Sequence, residues 1–302
     1  MTFDMKAGAM LRMALFAALA LAGSSAGAGA DIVVLDDSGA RVVLQQPARR
    51  VISMAPHVTE LLFAAGGGAR VVGAINYSNY PEAAKKVPVI GSSSQLDMER
   101  VLALKPDLLV VWQSGNTARQ LEQLRQTGIP IFYSEPTRLA HVADSLTRFG
   151  RLLGSEPAAQ EAAQNFRAKI GALEKRYARR SPVRLFYQVW DKPLYTLNDS
   201  QIASDAIRLC GGVNVFGHLK VKAPVVSTEA VLEQDPEAII GSVRDDSPQA
   251  GLHVWRAFKG MQAVRRGNLF SPPESLTWPG PRMVAGVTDL CEKLELARQR
   301  RR

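Results

Sequence analysis

After residue 30 the chain opens with an alternating stretch, "DIVVLDDSGARVVLQ" (31–45), which breaks at Asp37-Ser38-Gly39 and predicts a β-hairpin. Short apolar runs and helical patterns then take turns. "RVISMA" (50–55) predicts a strand, and "PHVTELLFAAGGG" (56–68) a helix with Pro56 in its first turn and Gly66 to Gly68 ending it. "RVVGAIN" (70–76) is a strand; 97–104 is a helix, closed by a turn at Lys105-Pro106 and followed by strand 107–112. A helix over 116–127 stops at Gly128, before the strand "IPIFYS" (129–134).

Residues 137–180 break this rhythm with a continuous helical pattern. Pro157 follows Gly154-Ser155-Glu156, so it starts a second helix, roughly 157–179, about 34 Å long at 1.5 Å per residue. Alternation then resumes with the strand "VRLFYQVW" (183–190), the helix "DAIRLCGG" (205–212) and "NVFG" (214–217). A helix-turn-strand at 227–240, a helix near 254–263, the strand "NLFS" (268–271) and a helix near 281–297 complete the chain.

Two stretches nearly repeat each other. "DMERVLALKPDLLVVW" (97–112) and "STEAVLEQDPEAIIGS" (227–242) match at Glu99 and Glu229, Val101-Leu102 and Val231-Leu232, and Pro106 and Pro236, all at one offset. Strands alternating with helices imply a parallel sheet, and the repeat implies two such units. The expected fold is α/β: two similar lobes with mostly parallel sheets, joined by a long helix. The expected segments are 1–30 as a signal peptide, 31–136 as an N-terminal lobe, 137–180 as a helical linker and 181–302 as a C-terminal lobe.

Composition narrows the context. Lys6 and Arg12 precede the apolar run "MALFAALALA" (13–22) and the small-residue zone "GSSAGAGA" (23–30), the pattern of an export signal with Ala28-Gly29-Ala30 as a cleavage site. Cys210 and Cys291 are the only cysteines, an even count that suits one disulfide in an exported chain, the alternative being two buried thiols. The formal charge is +9, but much of it is local. Arg298, Arg300, Arg301 and Arg302 form a tail expected to fray, and Lys175, Arg176, Arg179 and Arg180 end a helix, where cations suit the dipole. No nucleic-acid role is expected of such runs in an exported chain.

Catalytic chemistry finds little support. There is no G-x-S-x-G, H-E-x-x-H, phosphate-loop or dinucleotide fingerprint. His57, His141, His218 and His253 are scattered, and no metal site is expected. Glu60 is expected in the first turn of its helix, as a cap or dipole partner. Aromatics are more informative. Tyr77, Tyr80, Trp112, Trp190, Tyr195 and Trp278 fall at the carboxyl ends of predicted strands or in the loops after them, where α/β folds bind ligands. As a set they suit a large, flat, partly apolar ligand. Glu99 and Glu229, equivalent on two lobes, suit a pair of arginines on a symmetric partner.

These pieces resemble the periplasmic binding proteins with a helical backbone, which serve ABC importers of haem, ferric siderophores and vitamin B12 (cobalamin). The likeness rests on "TELLFAAG" (59–66), "YSNYP" (77–81), "MERVLALKPDLLVVW" (98–112), "GN" with "RQLEQL" (115–124), "CGGVNVF" (210–216) and "GPR" (280–282). It is greatest to the branch that binds cobalamin. The resemblance implies a periplasmic, monomeric, non-enzymatic protein without a cofactor, which hands cobalamin or a related corrinoid to a dimeric inner-membrane ABC permease with its ATPase. Tyr77, Trp112, Trp190 and the segment Glu274, Ser275, Leu276, Thr277 and Trp278 are the implied ligand contacts. Glu99 and Glu229 are the implied docking pair, and Cys210 and Cys291 match the branch's disulfide. Ser93 or a neighbour in "GSSSQ" stands where that branch carries another tryptophan, and "SLTWPGPR" is nearer the wider group. Haem, with His57 or Tyr77 as iron ligand, and siderophores, with Arg282, are the alternative cargoes; an exported enzyme is the third reading.

Overall fold

The computed structural model describes residues 31–241 and 251–301, except for the side chain of Glu274. The expected signal segment lies outside the described residues. Strands β1 (Ile32–Leu35) and β2 (Arg41–Leu44) form the antiparallel hairpin read from the alternation. Asp36 closes its turn by accepting the N–H groups of Ser38 and Ala40, each at 2.9 Å. Its other oxygen accepts the N–H of Tyr133, which ties the hairpin to the first lobe.

That lobe is a parallel sheet of β3 (Val51–Ser53), β4 (Val71–Ala74), β5 (Leu108–Trp112) and β6 (Ile131–Ser134), in the order β4-β3-β5-β6. The second lobe has β7 (Val183–Gln188), β10 (Gly212–Asn214), β11 (Ala238–Gly241) and β12 (Leu269–Phe270), parallel in the order β10-β7-β11-β12. The strand order is the same in both lobes. Between them in sequence lie α4 (Leu139–Leu153) and α5 (Glu156–Tyr177), preceded in the chain by α1 (Pro56–Leu62), α2 (Met98–Ala103) and α3 (Ala118–Arg125). Gly154, at φ 60°, turns α4 into α5, and Pro157 sits in the first turn of α5 as its position implied. The later helices are α6 (Ile202–Leu209), α7 (Thr228–Gln234), the short α8 (Gln262–Arg265) and α9 (Met283–Gln299).

The central strands β3, β5 and β11 are buried on both faces, which is why they read as apolar runs rather than alternations. Val51, Leu108 and Val110 join one core that continues through Phe149 and Phe166 of the helices to Leu185 and Leu290 of the second lobe. Ile52, Leu109 and Val111, on the opposite face, form a separate core. Phe186, Ile239 and Trp255 do the same in the second lobe.

The repeated sentence has a repeated structure. Asp97 and Ser227 cap α2 and α7 by accepting N–H groups from Arg100 and Ala230, at 3.0 and 3.1 Å. Val101 and Val231 are fully buried. Lys105 and Asp235 both take left-handed backbone (φ 45° and 39°) just before the buried Pro106 and Pro236. The next acid holds the start of the lobe's first strand: Asp107 accepts the N–H groups of Arg49 and Arg50, and Glu237 that of Arg184.

Several expectations need correction. The helix expected near 254–263 is a 3-10 turn (His253–Ala257) and the short α8, because Gly260 and Met261 interrupt it. Helix α6 starts before Asp205, and its strand is β10 rather than "NVFG". A small hairpin, β8 (Trp190–Asp191) with β9 (Leu194–Tyr195), went unread because Pro193 breaks its pattern. The basic tail is not frayed through Arg301. Arg298 donates to the carbonyls of Ser181, Cys210 and Gly211, Arg300 to that of Gly267, and Arg301 to both oxygens of Glu237 at 2.6 and 2.9 Å. Arg298 therefore serves the carbonyls that end α6, where a positive charge suits the helix dipole. Cys210 and Cys291 form a disulfide between the end of α6 and α9, with Cα atoms 4.7 Å apart.

Candidate functional site

The carboxyl ends of both sheets carry the aromatic residues singled out above. Trp112 ends β5 half-buried. Its N–H donates to Asn116 Oδ1 at 2.8 Å, and Asn116 Nδ2 donates to the carbonyl of Met54 at 3.1 Å, so the loop folds back onto the strand. Gly115 lies flat on the indole: a Cβ there would sit 1.8 Å from Trp112 Cε3. On the other side the ring of His57 meets Trp112 edge-on, with centroids 5.2 Å apart. His57 is buried with Nε2 unpartnered, and burial lowers its pKa to about 3. It is neutral at any physiological pH and is not presented as an open metal ligand.

Tyr77 follows β4 with a left-handed backbone (φ 63°) and is 72% exposed. A bulky residue held in that conformation is costly, and such strain gathers at ligand sites. Trp190 stands in β8 opposite Tyr195, 42% exposed, its Nε1 donating to the carbonyl of Lys192. In the loop before α9, Ser275, Thr277 and Trp278 are partly exposed, while the side chain of Glu274 lies outside the described residues. Leu276 differs from the expectation. Its side chain is fully buried in the main core, against Gly286, so this residue can offer a ligand only its backbone.

Glu60 was misread. It is the fifth residue of α1, not part of its first turn, and caps nothing. Instead its Oε1 accepts from Arg282 Nε at 2.9 Å and from Nη2 as well, joining the two lobes. Burial raises the Glu60 pKa although the hydrogen bond and charge of Arg282 act to lower it. Its Oε2 is buried without a partner, and Gly280 packs against it with no room to spare. The guanidinium of Arg282 stacks over the Tyr80 ring, 4.3 Å from its centroid. One cue was available in the sequence: a lone carboxylate on the apolar face of "TELLFAAG" needs a partner.

Glu99 and Glu229 are exposed in the first turns of α2 and α7, at matching places behind matching caps. The backbone N–H of Glu229 and the Ser227 hydroxyl hold its carboxyl below the usual range. Two hollows flank α5. One, of about 750 Å³, includes Tyr80, Ser275 and Arg282 in its lining; the other, of about 440 Å³, lies beside Arg138 and Asp205. Among the described residues, no three His, Cys, Asp or Glu side chains converge as metal ligands.

Comparison with known proteins agrees with this architecture. Residues 51–276 match the family model described as periplasmic binding protein. The chain is 36% identical over 255 residues to the vitamin B12-binding protein of Vibrio cholerae, covering 84% of this chain and 91% of the relative. It is 43% identical over 197 residues to that of Yersinia pestis, covering 65% and 70%. The crystal structure of the periplasmic vitamin B12 binding protein BtuF of Vibrio cholerae superposes with a TM-score of 0.78 at 35% identity, over 84% of this chain and 99% of that one. The haem-binding protein BhuT, with two haems, shares the fold at a TM-score of 0.71 and 24% identity, over 83% and 99%. Matched lobes of identical strand order, a long connecting helix and a family match over most of the length lead to one conclusion: this chain belongs to the periplasmic binding proteins, a family of substrate-binding proteins rather than enzymes.

Proposed function

We propose that the protein captures cobalamin between its lobes in the periplasm and delivers it to an inner-membrane ABC importer. Residues 1–30 direct export and are removed; lobes 31–136 and 181–302, tied by 137–180, form a monomeric carrier. The observation that carries the reading is Trp112. Gly115 packs on its indole and His57 meets it edge-on, while Asn116 fixes its backbone at the strand end, so little side-chain entropy is lost when a flat ligand packs on it. Tyr77, Trp190, Ser275, Thr277 and Trp278, with backbone from Leu276 and the neighbouring Glu274, complete the contacts. Glu99 and Glu229 dock to arginines of a dimeric permease. The names of the relatives support the same cargo.

A corrin is broad and planar with neutral amide arms, which suits aromatic surfaces more than charged ones. Haem is the second reading: His57 is closed in behind Trp112, which leaves the exposed Tyr77 as the iron ligand it would need. Calorimetry with cyanocobalamin tests the site. Tight one-to-one binding is expected, weakened about tenfold or more by Tyr77→Ala and by Trp112→Ala. Unchanged affinity in both variants contradicts the site.

A further inference from the structure

The larger hollow shares Ser275 with the proposed cobalamin contacts, but that reading leaves the rest of its lining unused. Lys169 and Arg176 stand on one face of α5, seven residues and about 10 Å apart along the axis. Ala172 and Leu173 lie between them as an apolar floor. Arg282 forms the opposite wall, fixed by Glu60 and stacked on Tyr80. The first turn of the seventeen-residue α9 adds Val284 and Ala285, bringing the positive end of its dipole to the same space. The described lining holds three cations and no carboxylate. Glu60 offsets the charge of Arg282 from behind, so the net excess comes from Lys169 and Arg176.

We propose that this hollow is a second binding site, whose cations lie apart from the proposed cobalamin contacts Tyr77, Trp112, Trp190 and Trp278, for an amphipathic anion whose phosphate group is held by Lys169, Arg176 and Arg282. Its apolar part rests on Ala172, Leu173 and the first turn of α9. Lys169 and Arg176, the latter stacked on the Tyr177 ring, share this hollow with the planar guanidinium of Arg282, an arrangement that suits a compact dianion. The volume, about 750 Å³, exceeds what a bare phosphate needs and leaves room for an apolar or sugar body. Arg282 also makes the pair that joins the lobes. An anion drawn to it therefore competes with Glu60 and loosens that contact.

The test uses purified protein and calorimetric titration with three probes: inorganic phosphate, glucose 6-phosphate and dihexanoylphosphatidic acid. Saturable binding of at least one is expected. Binding of the lipid alone assigns a phospholipid headgroup, and binding of glucose 6-phosphate assigns a soluble phosphate ester. Lys169→Glu with Arg176→Glu, both at exposed positions, should weaken that binding by about tenfold or more. The affinity for cyanocobalamin should not change, which separates this site from the cleft. No saturable binding by any probe, or equal binding by the double variant, overturns the proposal. So does competition by cyanocobalamin that survives in the double variant.

Discussion

His57 shows how one side chain's burial reaches the behaviour of the protein. The unfolded chain takes up a proton on this residue near pH 6.5, and the folded chain only near pH 3. Between those values the unfolded state binds more protons, so stability falls as the pH falls. Glu60 has the opposite sign, since its folded carboxyl takes up a proton above the ordinary value and acidification in that window favours the fold. Urea denaturation of wild type and His57→Gln separates the two. From pH 7 to about pH 4 the wild type should lose up to about 3 kcal/mol more than the variant. Equal losses would mean that His57 is hydrated and titrates normally. The strand-end positions of Tyr77 and Trp112 were legible because the apolar runs before them mark where β4 and β5 stop. The Glu60–Arg282 pair was not, because its partners lie 222 residues apart and no local pattern joins them.

At the scale of elements, the repeated helix-turn-strand was legible because each part has a local physical cause. An N-cap starts the helix, a left-handed residue ends it, and a proline followed by an acid places the next strand. The β8–β9 hairpin and the 3-10 turn at His253–Ala257 were not legible, since short elements take their shape from packing rather than propensity. The tail was misjudged for a similar reason: a run of arginines looks solvated until the carbonyls it serves are in place. The disulfide works alongside these contacts by closing an 81-residue separation between α6 and α9. In the chain-entropy account such a loop is worth about 4 kcal/mol. Cys210→Ser with Cys291→Ser should therefore lower the unfolding free energy by a few kcal/mol while leaving cobalamin affinity within about twofold, because both cysteines are fully buried in the core and offer a ligand no surface. A variant as stable as wild type would show that α6 and α9 are already held by packing and Arg298.

The whole molecule combines two sheets of one topology, a helical tie and a part-buried ion pair between lobes. Such a tie favours small changes of cleft width over wide hinge motion, since α4, α5 and both sheets share one core. In the proposed docking role, the two exposed carboxylates Glu99 and Glu229 meet the permease. Glu99→Ala with Glu229→Ala should leave cyanocobalamin binding unchanged and reduce cobalamin uptake by cells severely; both side chains are exposed and neither touches the cleft aromatics. Normal uptake by the double variant would remove them from the interface. The cargo itself is tested most directly by the visible spectrum of the protein purified from cells supplied with both cobalamin and haem. The account predicts a red protein with the absorption bands of a cobalt corrin. A Soret band from bound haem, with no corrin, would contradict it.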